Sequence, residues 1–180
     1  MTRRISGFLA CLALAALACS VGIGAEAGVL WIDEAFRAEI PGAEAIYFPI
    51  NGISEEEWRA SSVLAVVAAG GPENALAWTT WGANFGWGCE GGAVVGIWAE
   101  MPTRVYLPRP MDLPLDLIPE WRIYFRKLVD HEAEHVRIVS DHAGDFEGIN
   151  GTPCDEAAAR VDRIYAFIGQ LNRQFDGLEK

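Results

Sequence analysis

Apolar and polar positions change rhythm several times along the chain. Residues 28–44 carry mixed signals, since Leu30-Trp31-Ile32 and Ala35-Phe36 suit either a short helix or a lead-in segment. Ala45 to Ile50 is predicted as a strand, because Ile46, Tyr47 and Phe48 favour extended backbone. Asn51-Gly52 marks a turn. Ser54, with Glu57 three residues later, forms a capping box that opens a helix. Trp58, Ser62, Ala65 and Ala69 give that helix one stripe, widened by Val63, Val66 and Val67, and Gly70-Gly71-Pro72 ends it. Ala75 to Trp81 alternates as a strand does. Asn84 to Gly92 holds four glycines and reads as a hairpin connection or a long loop. Ala93 to Trp98 and Thr103 to Leu107 are two more predicted strands. Pro108, Pro110 and Pro114 then keep the chain extended and without regular pairing.

The longest periodic segment runs from Ile118 to about Val139, with Pro119 in its first turn. Trp121, Phe125, Leu128, Glu132, His135 and Val139 share one face. After a loop from Asp145 to Gly151, Thr152, Pro153 and Asp155 predict a capped second helix. Its buried stripe is Cys154, Ala157, Val161, Ile164, Ile168, Leu171 and Phe175. This order implies an α+β fold: a small antiparallel sheet, an N-terminal helix and two long C-terminal helices.

The first 27 residues stand outside that pattern. Arg3 and Arg4 precede an apolar run from Ile5 to Ile23, and Ala25-Glu26-Ala27 has small residues at both places a signal peptidase requires. A signal peptide over 1–27 is expected, with cleavage near Ala27-Gly28 and one domain over 28–180. An uncleaved anchor, or lipidation at Cys19, is the alternative use of the same segment. Export to the periplasm or beyond changes the cysteine count. Cys11 and Cys19 leave with the signal, so Cys89 and Cys154 have only each other within the chain; two buried thiols are the other outcome.

With 180 residues, 51% of them hydrophobic, the chain is long enough for one domain with its own core. Lys and Arg number 14 against 25 Asp and Glu, a net of −11. Nucleic acid is excluded as a partner on that balance, since phosphates require a basic patch. No segment of the expected mature chain reads as a transmembrane span.

One segment carries chemistry. His131-Glu132-Ala133-Glu134-His135 is an H-E-x-x-H motif inside the long predicted helix. Positions i and i+4 lie on one face, about 6 Å apart along the axis, so both imidazoles can turn onto one Zn²⁺. Glu132 is then the general base for a metal-activated water. A carboxylate on a buried stripe is costly unless a metal or a partner compensates it. The third ligand stays open between His142 and a carboxylate from the last helix, Asp155 or Glu156. All three histidines of the chain fall within residues 131–142. A metzincin is excluded by spacing, because Ile138 and Asp141 stand where that motif needs Gly and His.

These residues resemble the DUF922 family of bacterial predicted secreted zinc-dependent proteases. The likeness runs through Tyr47 to Gly52, Thr79 to Trp81, Cys89, Leu107-Pro108, Trp121, Leu128, the segment His131 to Val136, Cys154, and Asn172 to Asp176. It implies His131 and His135 as metal ligands, Glu132 as the catalytic residue, and Cys89 with Cys154 as a disulfide. The chain departs from the family at its end, where Phe175-Asp176-Gly177 replaces a Tyr-Asp followed by Thr and His-Gly. The expected activity is hydrolysis of peptide or protein substrates by zinc-activated water. A zinc amidase acting on cell-wall peptides and a non-enzymatic metal-binding module are the rival readings.

Overall fold

Residues 34 and 36–178 are described by a computed structural model. Within it, residues 36–39 are helical and Phe36 and Ile40 are buried, so the short-helix reading holds for the described part of 28–44. The expected signal peptide and its cleavage point lie outside the described residues.

Strand β1 spans Glu44–Ile50, and Gly52 then turns the chain into helix α1, Glu55–Ala68. Gly52 has φ 132°, and a Cβ there would lie 2.6 Å from Glu57 Cβ, so only glycine fits. Ser54 Oγ accepts from Glu57 N at 3.3 Å. Glu57 Oε2 in return accepts from Ile53 N at 2.7 Å, one residue earlier than the usual reciprocal bond. Trp58, Ser62 and Val66 form the buried stripe of α1. Trp58 meets Trp121 edge-to-face at 5.2 Å, a contact worth about 0.5–1.5 kcal/mol beyond its buried area.

Strands β2 (Trp78–Trp81), β3 (Asn84–Glu90), β4 (Ala93–Glu100) and β5 (Thr103–Pro110) follow. One sheet is mixed, in the order β1-β5-β2, with β1 parallel to β5 and β2 antiparallel to it. Strands β3 and β4 form a separate antiparallel hairpin. Two expectations change here. Asn84 to Glu90 is a strand and not a loop: Gly86 lies under the Trp98 indole, where a Cβ would come within 2.8 Å of Nε1, so the missing side chain makes room for an aromatic cover. Pro108 and Pro110 are paired, both within β5. Met111 N donates to Ile50 O at 3.0 Å, so by alternation the two proline nitrogens face away from β1. On that side β2 pairing has already ended at Tyr106, and no amide proton is needed.

A short 3₁₀ turn leads into helix α2, Ile118–Asp141, with Pro119 in its first turn. A second 3₁₀ segment, Ala143–Ile149, reverses the chain, and helix α3 runs over Ala157–Leu178. The expected cap at Thr152 does not form. Backbone atoms of Gly151, Thr152 and Cys154 instead bond to Val94 and Gly92 at the start of β4. That pairing carries the Thr152 hydroxyl away from the helix, and Cys154–Glu156 is a 3₁₀ turn ahead of α3. Cys89 and Cys154 are joined by a disulfide across the same seam.

Helix α2 belongs to two cores. Its buried apolar residues from Trp121 to Val136 pack with β1, α1 and β5. Ile138 and Val139 pack instead with β4, the 3₁₀ segment and α3. His131, Glu132 and His135 lie just before the changeover, which falls between Val136 and Ile138.

Candidate metal centre

The 3.6-residue period of α2 brings His131 and His135 one turn apart on the face that meets the end of α3. Their Nε2 atoms lie 3.3 Å from each other. From α3, Asp176 Oδ1 approaches His135 Nε2 at 3.1 Å and His131 Nε2 at 3.7 Å. One ligand atom from each of these three residues falls within 4.8 Å of the others. A tetrahedral zinc with bonds of about 2.0 Å holds its donors roughly 3.3 Å apart, and the spacings in this cluster bracket that value. Phe175 packs against both imidazoles, with ring centroids at 5.0 and 5.1 Å, and walls one side of the cluster. His135 is buried, His131 is 27% exposed and Asp176 is 56% exposed, so the cluster is anchored inside and open at its outer edge.

Glu132 faces the neighbouring strand. It is 2% exposed and accepts a hydrogen bond from Thr79 Oγ1 of β2 at 2.7 Å. Burial pushes its carboxyl up to about 7. The Thr79 bond and the nearby His135 pull the other way, and the Asp176 charge adds to the rise. The side chain is therefore held by a strand on one flank while its neighbours on the helix serve the cluster. His135 Nδ1 is bonded to Asn172 Oδ1 at 2.7 Å, and Asn172 Nδ2 donates to Ile168 O at 2.9 Å.

The two motif histidines are thus brought together, with Glu132 beside them. His142 goes elsewhere. Helix α2 continues through Asp141, so no early break returns the chain to the cluster, and His142 stands at the C-cap. Its Nδ1 bonds Asp145 Oδ2 at 2.7 Å and its ring meets Phe167. Asp155 and Glu156 lie ahead of the first turn of α3, about 30 Å of helix from Asp176, and Glu156 pairs with Arg160. The carboxylate beside the imidazoles is Asp176, in place of these three candidates. In the sequence, Asp176 stands only at the end of the family-like segment Asn172 to Asp176 and in the departing tail, and neither it nor Thr79 nor Asn172 has an assigned role. One signal was available: Asn172 and Asp176 continue the 161, 164, 168 stripe at four-residue steps, so polar residues there call for a reason, as Glu132 did.

The arrangement is geometrically compatible with a catalytic metal site: two imidazoles, a carboxylate open to solvent, and a second buried carboxylate that is not needed as a ligand. Among the described residues, no helix is long and apolar enough to cross a membrane. Neither the curated proteins nor the solved structures include a detectable match to this sequence. A family model does match, over residues 46–180. The chain belongs to the family described as "Bacterial protein of unknown function (DUF922)".

Proposed function

We propose that this protein is an exported zinc-dependent metallopeptidase, with residues 1–27 as its signal peptide and 28–180 as a single catalytic domain. The observation that carries the reading is the convergence of His131 Nε2, His135 Nε2 and Asp176 Oδ1, with the buried Glu132 alongside. His131, His135 and Asp176 would hold the ion. When bound, zinc supplies a water acidic enough to act as a nucleophile near neutral pH, and polarises the carbonyl to be attacked.

The remaining work belongs to the chain. Glu132 would take at its carboxylate the proton that the attacking water gives up, and return it to the amine nitrogen as the C–N bond breaks. Its partner Thr79 donates to one carboxylate oxygen and leaves the other for that transfer. Phe175 excludes water from one flank of the imidazoles. Asp176, at the solvent edge, marks the side from which substrate enters. The Cys89–Cys154 bridge supports an oxidising destination, in keeping with the expected export.

The test is Glu132→Gln in the mature protein. Zinc content is expected to match the unmodified protein, because Glu132 is assigned as a base and not a ligand. Hydrolysis of an unstructured polypeptide such as casein, or of peptidoglycan stem peptides, should fall by about 10²–10⁴-fold. Undiminished hydrolysis by the zinc-loaded variant would refute the assignment.

A further inference from the structure

Asn172 is a buried amide on α3 whose two ends have different, forced partners. One end faces the backbone carbonyl of Ile168, four residues earlier, at 2.9 Å. A carbonyl only accepts, so the NH₂ end must lie there. The oxygen end is thereby turned to His135 Nδ1 at 2.7 Å. That oxygen also only accepts, so Nδ1 must carry the proton. In a neutral imidazole the other nitrogen is then bare. Nε2 of His135 faces His131 Nε2 at 3.3 Å and Asp176 Oδ1 at 3.1 Å.

From this chain of donors and acceptors we infer that Asn172 is a positioning residue: it locks His135 into the tautomer protonated at Nδ1, and so presents a ready lone pair at Nε2 to the cation the cluster takes. The inference rests on the metal reading above and deepens it. Without Asn172 the preference reverses. A proton on Nε2 finds a good acceptor in Asp176, and an incoming ion would first have to displace it. An amide suits this place for a second reason. It accepts the imidazole hydrogen bond without adding charge to a site that already holds Asp176 and the buried Glu132. Outer hydrogen-bond partners of metal-bound histidines commonly change metal affinity by 10–100-fold when removed.

The first arm of the test needs neither a variant nor a metal. Long-range ¹H–¹⁵N correlation on the metal-free protein, labelled at histidine and with the pH raised until the ring signals stop moving, reads the tautomer of His135 directly. Protonated Nδ1 and bare Nε2 are expected. The second arm compares Asn172→Leu, which keeps the volume and loses the acceptor, with Asn172→Asp, which restores an acceptor. The Leu variant should shift His135 towards protonated Nε2 and bind zinc about 10–100-fold more weakly in competition with a chelating dye. The Asp variant should keep the Nδ1 proton and bind zinc more tightly than the Leu variant. A wild-type ring protonated at Nε2, or unchanged zinc affinity in a folded Leu variant, overturns the assignment. If the Leu variant does not fold, the tautomers of the wild-type and Asp proteins decide it. A wild-type ring with the expected tautomer in a protein that takes up no zinc supports the role of Asn172 and refutes the metal reading instead.

Discussion

Asp176 puts a negative charge against two imidazoles that face each other across 3.3 Å. Remove it, and the cluster keeps two nitrogen donors but loses the only anionic one among its three members. Asp176→Ala should therefore weaken zinc binding by at least about tenfold, as measured by dye competition, while leaving the fold intact because the side chain is largely exposed. Binding as tight as in the unmodified protein would remove Asp176 from the ligand set. The residue also shows where sequence reading stops. The i, i+4 spacing of His131 and His135 is a local fact, and one helical turn realises it. The contact of Asp176 with them depends on how the end of α3 crosses α2, which no local pattern specifies. Thr79 is the same case, since its bond to Glu132 spans 53 residues.

At the scale of elements, α1, α2, α3 and β1 are legible because their apolar periods act locally, as does the Ser54 cap of α1. The exceptions have physical causes. Glycine in β3 hides a strand, because propensity counts its flexibility and not the Trp98 ring that covers it. The Thr152 cap loses to three backbone hydrogen bonds with Gly92 and Val94. Two element contacts invite measurement. Tyr124 of α2 is buried against α1, where its hydroxyl meets Ser62 at 3.4 Å. Burial raises the pKa of that phenol above its ordinary 10.0, and the Ser62 bond offsets part of the rise. The native state thus favours the neutral form. Its contribution is complete below the unfolded value and is lost as pH climbs through the folded one. Urea denaturation should show a stability loss on going from about pH 9 to pH 11 that is smaller in Tyr124→Phe. Equal losses would argue against a buried phenol. The seam between the hairpin and α3 is the second contact. The Cys89–Cys154 bridge closes a loop with a sequence separation of 65, so replacing both cysteines by serine should cost about 2–4 kcal/mol in the same assay. The intact protein should show no reactive thiol at these positions before reduction, and two titratable thiols on unfolding without reductant would exclude the bridge.

The molecule as a whole places one helix in two cores, with its reactive turn just before the changeover from one to the other. Glu132 is buried there with polar neighbours: β2 supplies the Thr79 hydroxyl, and His135 of the same helix favours the carboxylate while the Asp176 charge opposes it. The net charge of −11 is consistent with a protein that does not handle phosphate backbones, and it favours neutral or basic substrates where long-range attraction matters. The proposed activity depends on the ion. The most direct measurement is elemental analysis of the purified mature protein after loading with zinc and removal of excess, beside a His131→Ala/His135→Ala double variant. One zinc per chain is predicted for the native sequence and none for the variant. A native protein that retains no transition metal, or a variant that retains as much, would contradict the account.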